Sequence, residues 1–595
     1  MKYSFITNKK DFFNLLGVSA KKMNYILYNK QFKGPENMYT TFLVPKKNGG
    51  ERKISAPNGE LKIIQKKLAT ILENHYYETY KSQNYCNNIT HAFQKNKGII
   101  TNAKVHRNKK NILNIDLEEF FHSIHFGRVK GFFEKDSTFK VPKDVALIIA
   151  QLTCYQGYLP QGAPTSPIIS NLIGNILDMR LLKLCKKYKL NYTRYADDLT
   201  FSSNDLSFSK VKDKIILDIE MEIERCGFKV NNSKTRIQNY KIRQEVTGLT
   251  VNKKINVKRS YYKNTRAMAN NLYRNKEFFI DNKIGTINQL EGRFSFINQL
   301  DKYNNKILKY KSFEKNSVGH QKNLESLYKI KKESSNTQFF KHLNAREKEY
   351  QKFLFYKYFY NNPQPLLATE GKTDIRYLKA ALKNLYIEYP DLIEQQDGKF
   401  VYKIGFLNRF NYNAKKMNRL HYFLNILPDG ASALKNIYSY YNEQNSHYPN
   451  YVKLFKKLDD DKPLNPVILL YDNELANKKK PILNFCNHID MSENEKASLQ
   501  SGSYFHISEN LYLLTHQLIN SAKENELEDL FDKKTLSKII NNKTFCKKDK
   551  FDTSKYYGKD IFSKFVICNY NNINFENFKP LLDNIVRVVK DYENR

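Results

Sequence analysis

The sequence predicts two folded units in series, an α+β unit in the first half and an α/β unit in the second. Three observations carry that reading. Tyr195-Ala196-Asp197-Asp198 lies between β-prone residues, Leu190 and Tyr192 before it and Leu199 and Phe201 after it, so it reads as a hairpin with two carboxylates at its tip. Pro466-Val467-Ile468-Leu469-Leu470-Tyr471 is a continuous apolar run of the kind buried on both faces of a parallel sheet, and Leu366-Leu367-Ala368-Thr369 is a shorter one. Finally, 595 residues with 41% hydrophobic and 14% aromatic content are too many for one core and too apolar for disorder.

A formal net charge of +39 points to a polyanionic partner, since phosphate contacts dominate affinity for nucleic acid. A lysine-rich codon bias contributes to such a charge but rarely produces so large an imbalance alone. Seven cysteines without a Cys-x-x-Cys pair indicate neither a zinc site nor a disulfide framework, and fit reduced thiols. The N-terminal residues lack the apolar core of a signal peptide, and no apolar run approaches the roughly 18 residues of a membrane span. The expectation is a cytoplasmic protein with no membrane partner.

In chain order, residues 38–57 alternate apolar and basic positions around Asn48-Gly49-Gly50, a hairpin turn flanked by Lys46, Lys47, Arg52 and Lys53. Asn111-Ile112-Leu113-Asn114-Ile115-Asp116 reads as a strand ending in a carboxylate, followed by Leu117-Glu118-Glu119-Phe120-Phe121. The Gly/Pro-punctuated loop from Leu159 to Pro167 opens a helix with Ile168, Ile169, Leu172 and Ile173 on its apolar face. Adjacent Asp197 and Asp198 repel each other unless a cation sits between them, and Mg²⁺ is the natural one. Two-metal phosphoryl transfer needs carboxylates from separate strands around ions roughly 3.5–4 Å apart, and Asp116 supplies the third. Residues 255–310 read as helical and basic with Tyr261, Tyr262 and Tyr273 interleaved, and Pro363 and Pro365 mark a boundary near 361.

In order and spacing, the Asp116, Leu159–Pro167 and Asp197-Asp198 segments resemble the palm of reverse transcriptases. Asn102-Ala103-Lys104-Val105-His106 and Val246-Thr247-Gly248-Leu249 resemble two elements of the retron branch, and the likeness covers roughly residues 1–315. The resemblance implies a right-hand polymerase of fingers, palm and thumb. Such an enzyme makes msDNA, a branched RNA–DNA hybrid, from dNTPs on a cognate noncoding RNA (msr-msd), primed from a guanosine 2′-hydroxyl. It further implies two palm Mg²⁺ ions on Asp116, Asp197 and Asp198, with Lys46, Arg52, Phe121, Gln161 and Lys234 at the nucleotide. Phe121 would exclude a ribose 2′-hydroxyl, and Lys234, in Gly227–Lys234, would protonate the leaving pyrophosphate. RNA contacts would fall on Asn102, His106, Val246, Thr247 and Gly248. His122 departs from the proline usual at its place.

Beyond residue 361, Leu366–Asp374 carries Glu370 at a strand end before a Gly turn and a helix, and the run to Tyr471 ends in Asp472-Asn473-Glu474. Acids at the carboxyl ends of two buried strands lie where α/β sheets place their sites. These segments resemble the TOPRIM fold of topoisomerases, primases and related nucleases. The resemblance implies Glu370 as general acid or base and Asp472 and Glu474 holding one or two Mg²⁺, with Glu474 replacing the usual second Asp. Leu427–Leu434 would be the family's glycine turn, while Glu528, Asp529 and Lys559 match later nuclease elements only faintly. The expected organisation is a reverse transcriptase over 1–312, a helical linker over 313–361 and a TOPRIM effector over 362–595, acting in antiphage defence as retron toxin–antitoxin systems do. Whether its target is DNA, RNA or tRNA stays open, as does a homo-oligomer. A C-terminal half that only binds the hybrid is the competing reading. A group II intron maturase is disfavoured by the two retron elements and by the missing cysteine pattern.

Overall fold

The structure, a computed structural model, describes residues 3–28, 37–46, 49–82, 87–314, 343–409, 418–428, 430–442, 448–548 and 550–595, with side chains left aside over 305–314. Lys47, Asn48, Cys86, Lys331–Asn336, Asp429 and most of the expected linker lie outside the described residues. The chain divides into two compact units, Met1–Arg259 and Ser260–Arg595.

The first unit is built on a four-stranded antiparallel sheet in the order Asn191–Tyr195, Asp198–Ser203, Asn111–Asp116, Arg236–Asn239. Leu113, Ile115, Tyr192, Leu199 and Phe201 of this sheet share one buried cluster with the helices Ser166–Lys187 and Phe208–Arg225. The second of these helices buries Ile215, Ile219 and Ile223, a four-residue spacing that keeps one apolar stripe facing the sheet. In the first, Ile168, Ile169, Leu172 and Ile173 are all buried. Tyr39–Pro45 pairs antiparallel with Glu51–Pro57, and Gly49 and Gly50 take the positive φ of 86° and 77° that the tight turn requires. The faces of this hairpin are largely in solvent, with Phe42, Leu43 and Val44 exposed.

The second unit holds a five-stranded sheet in the order Gly405–Phe406, Leu366–Thr369, Val467–Tyr471, Leu511–Thr515, Tyr504–Ser508. All neighbours are parallel except the last pair. Alternate residues enter different cores. Leu366, Ala368, Val467, Leu469, Tyr471, Leu511 and Leu513 face one cluster, and Leu367, Ile468, Leu470, Tyr512 and Leu514 the other. Burial on both faces is why these strands read as unbroken apolar runs. Helices Lys372–Asn384, Lys559–Cys568 and Lys579–Asn594 contribute to the second of these cores.

The division at 259/260 differs from the sequence boundaries at 312 and 361. Helices Arg259–Asn275 and Ile287–Glu314 contribute Ala269, Leu272, Tyr273, Leu290 and Phe294, and the segment between them Phe278, to the same core as Tyr350, Phe353, Tyr356, Phe359 and Phe455. Tyr273, one of the tyrosines interleaved in the basic stretch, is therefore core, and its ring lies 4.9 Å from Tyr356 and 5.0 Å from Phe455. Glu291 accepts from Lys357 Nζ at 2.6 Å and also pairs with Arg419, which ties the helix Ile287–Glu314 to the helical turns Tyr356–Tyr360 and Arg419–Leu424 by charge. Removing a fully buried aromatic costs about 3–5 kcal/mol through lost burial and the cavity left behind. Tyr273→Ala should accordingly lower the denaturant midpoint of the second unit; a variant as stable as the parent would mean that these helices are not part of that core.

Candidate active sites

Strand pairing alone brings the three acids of the first unit together. Asp116 and Asp198 are register partners on adjacent antiparallel strands, and Asp197 occupies the two-residue turn between Tyr195 and Asp198. Ala196, the other turn residue, has φ 55°, in the left-handed region. A small side chain limits the cost of that conformation, which is of order 1–2 kcal/mol for an L-residue. Leu117 donates its N–H to the Asp197 carbonyl at 3.0 Å, and Asn231 donates to the Asp116 carbonyl at 2.8 Å. The backbone on both sides of the acids is thus fixed.

Their charges conflict. Burial, then Asp197 and Asp116, push the Asp198 carboxyl up to about 6. Burial and Asp116 also raise Asp197, against the pull of Lys234 and Arg52. Lys234 Nζ sits 2.8 Å from Asp116 Oδ2, where Asn231 Nδ2 also donates at 3.2 Å, and the bond to Asp116 strengthens its hold on its proton. Among the described residues, no three His, Cys, Asp or Glu side chains are arranged to hold one metal ion as they lie. The donor set nevertheless suits a hard cation, because converging, partly desolvated carboxylates carry a charge surplus that Mg²⁺ would neutralise.

Of the other residues singled out for a nucleotide, Arg52 and Lys234 are close enough to act on the charge of Asp197. Arg52 and Lys46 extend from the exposed hairpin. Gln161 accepts from the Ser55 N–H through its carbonyl at 2.8 Å, which joins its loop to that hairpin. A Cβ on Gly162, whose φ is 117°, would meet Ile54 Cγ2 at 2.8 Å and the Ser55 carbonyl at 3.0 Å, so glycine alone permits this approach. Phe121 is half-buried beside Phe93 and Phe120, at 6.5 and 5.4 Å between ring centres. His122 pairs with Glu119 at 3.0 Å.

The five residues expected at RNA divide by burial. Asn102, His106 and Val246 are each 0% exposed and present no surface to a ligand. His106 is instead a strut, with Nδ1 2.7 Å from Ser202 Oγ and Nε2 2.7 Å from Thr193 Oγ1, hydroxyls on the two strands of the Asp-tipped hairpin. Thr247 and Gly248, with φ 45° and 78°, form the turn between Glu245–Val246 and Leu249–Thr250 and do reach the surface. Thr247 Oγ1 donates to the Ile99 carbonyl at 3.4 Å, so the two elements, distant in sequence, meet through the helix Ile99–Val105.

In the second unit, Glu370 follows the strand Leu366–Thr369 and Asp472 follows Val467–Tyr471, adjacent parallel strands. Glu370 Oε1 accepts the Asp472 N–H at 3.2 Å, and Asp472 Oδ1 accepts the Leu527 N–H at 3.1 Å. Glu474 is buried, with Lys480 as its cation. The spacing of acids in the sequence did not single out Asp374, which is also buried and caps its helix by accepting the Gly371 N–H at 2.7 Å. Glu528 accepts from Tyr377 at 3.2 Å and, with Glu526, binds Lys559 at 3.2 and 3.1 Å. Burial, then Asp472, raises Glu370 and Asp374, and burial raises Glu528 against Lys559. Arg409 donates to the Leu427, Thr369 and Glu370 carbonyls at 2.7, 2.7 and 2.6 Å, closing the strand end beneath Glu370. These converging acids likewise suit a divalent cation.

Residues 44–258 match the reverse transcriptase (RNA-dependent DNA polymerase) family. Among known proteins, the retron Mx65 reverse transcriptase of Myxococcus xanthus is 32% identical over 254 residues, 40% of this chain and 57% of that protein. The retron Mx162 reverse transcriptase of the same organism is 29% identical over 315 residues, 48% and 62% of the respective chains. The chain thus spans about three fifths of these two relatives. The retron Ec86 reverse transcriptase of Escherichia coli is 30% identical over 300 residues, half of this chain but 85% of that protein. The chain belongs to the retron reverse transcriptase family.

The buried strut yields a prediction about acid stability. Burial, with His91 and Lys109 adding repulsion, pushes His106 from an ordinary value of 6.5 down to about 3. A depressed histidine binds its proton in the unfolded chain first, so its contribution is intact above pH 6.5 and declines as pH falls towards 3. His106→Gln should flatten the loss of stability across that window in denaturant titrations; an unchanged pH slope would show that His106 is not buried neutral.

Proposed function

We propose that the first unit, with the helices after residue 259 as its thumb, extends DNA on an RNA template and makes msDNA on a cognate noncoding RNA. The observation that carries this reading is Asp116 facing Asp198 across paired strands, with Asp197 in the adjoining turn. Mg²⁺, bound by these three, would activate the attacking hydroxyl and neutralise charge on the transferring phosphate. Arg52 and Lys46 bind the triphosphate, a role for which the guanidinium fork suits Arg52. Phe121 packs against the sugar and excludes a 2′-hydroxyl. Lys234 keeps a proton on Nζ for the leaving pyrophosphate. Thr247 and Gly248 offer the exposed part of the retron elements to RNA, while His106 holds the catalytic hairpin in place through Ser202 and Thr193. Asp197→Ala with Asp198→Ala should abolish DNA synthesis on a primed RNA template in a soluble, folded protein, and full synthesis by that variant would overturn the reading.

The second unit is, in the same proposal, a TOPRIM-type nuclease, an effector restrained by msDNA in antiphage defence. Its support is a mostly parallel sheet with Glu370 and Asp472 at adjacent strand ends and Glu474, Asp374 and Glu528 electrostatically linked to them. Glu370 and Asp374, protonated more readily than ordinary carboxyls, are suited to proton transfer, and Asp472 and Glu474 to cation binding. The palm has its own core, so Glu370→Ala or Asp472→Ala should leave DNA synthesis intact while nucleic-acid cleavage and protection of cells from phage are lost. Persistent cleavage in both variants would favour the alternative, a C-terminal half that only binds the hybrid.

A further inference from the structure

The strand that leads into the Asp-tipped hairpin carries a charge that no solvent reaches. Arg194 and Asp178 both have fully buried side chains. Arg194 Nε donates to Asp178 Oδ1 at 2.8 Å and Nη2 to Oδ2 at 2.8 Å, a bidentate fork from the strand Asn191–Tyr195 onto the helix Ser166–Lys187. Tyr192 Oη adds a bond to Oδ1 at 2.8 Å, and Thr90 Oγ1 one to Oδ2 at 3.3 Å. The carboxylate is saturated. The remaining arm, Nη1, points the other way, 3.3 Å from Asn171 Oδ1 and 3.5 Å from the carbonyl of Ala196. Ala196 is the left-handed turn residue directly before Asp197.

Such a pair is a poor source of stability, because taking two charges out of water costs about as much as their attraction returns. Well-packed apolar residues commonly replace buried ion pairs without loss. Yet the surroundings are shaped for this one. Helix residue Gly174 leaves room for the guanidinium, and a Cβ there would lie 2.8 Å from Arg194 Cζ. The backbone of Arg194 is held as well, its N–H donating to Ile89 and its carbonyl accepting from His91, both at 2.9 Å.

We propose that Arg194 is a positioning residue for polymerisation. Clamped by Asp178, its guanidinium supports the Ala196 carbonyl and so sets where the hairpin turn presents Asp197 and Asp198 to Asp116. The inference rests on the proposed polymerase reading of that site. The arrangement separates geometry from stability: an apolar pair of similar volume can keep the fold, but it cannot hold the turn's carbonyl.

The test uses the full chain, a homopolymeric RNA template with a DNA primer, and dTTP, with Asp197→Ala/Asp198→Ala as the inactive control. Arg194→Met combined with Asp178→Leu should melt within a few degrees of the parent, yet show kcat reduced about 10–100-fold, as for other residues that orient metal ligands. KM for dTTP should stay near the parent's, while the Mg²⁺ concentration for half-maximal rate rises and excess Mg²⁺ partly restores kcat. Gly174→Ala, which displaces the guanidinium from behind, should shift the Mg²⁺ dependence in the same direction, and it serves as the test if the double variant does not fold. Parental kcat and Mg²⁺ dependence in a folded variant would overturn the inference. A parent that does not extend the primer would instead overturn the polymerase reading on which it rests.

Discussion

Crowding of like charge at the ends of sheets is the constraint on which both halves of this molecule depend. Asp116 and Asp198 face each other because their strands pair in that register, and Asp197 cannot leave because the turn has only two residues. The second unit repeats the arrangement by other means, with Glu370 and Asp472 ending adjacent parallel strands and Asp472 raising the proton affinity of the buried Asp374 and Glu528. Carboxylates held together out of water repel, and the backbone must be stiff enough not to yield. Hydrogen bonds from Leu117 and Asn231 supply that stiffness in the palm, and Arg409 supplies it below Glu370. A lysine offsets part of the charge in each set, Lys234 on Asp116 and Lys480 on Glu474.

The second constraint is a shared core. The helices from residue 259 to 304 do not close over an apolar centre of their own, but place Leu272, Tyr273 and Phe294 in one core with the aromatic rings of Tyr350, Phe353 and Tyr356. Close-packed protein interiors transmit strain rather than absorb it. In the proposed scheme, a hybrid gripped by the thumb would therefore bear on the same packed body that carries Glu370 and Asp472.

Much of this was legible in the sequence. The Asp-tipped hairpin and the two-sided burial of Val467–Tyr471 follow from local pattern, because strand periodicity and turn length are set by nearby residues. What the sequence hid depends on partners distant along the chain. Tyr273 looked like one more aromatic in a basic helix, since an amphipathic face does not say what covers it. His106 and Asn102 lie in a segment that suggested RNA contact, but both are buried, and His106 instead braces the two strands of the hairpin. Asp374, four residues after Glu370, resembles an ordinary helix cap until the fold sets it beside Asp472 and Glu528. Arg194 was one arginine in a chain of net charge +39, and nothing local marks it as buried.

The chain carries two separate clusters of converging carboxylates, Asp116 with Asp197 and Asp198 and Glu370 with Asp472, and each suits a divalent cation. Mn²⁺, a spectroscopic substitute for Mg²⁺, can be titrated into the 595-residue chain and its binding followed by electron paramagnetic resonance. The account predicts two independent sets of sites, one lost on replacing Asp197 and Asp198 with alanine and the other on replacing Glu370 and Asp472. Binding that is unchanged in either variant, or lost as a whole in one of them, would contradict it.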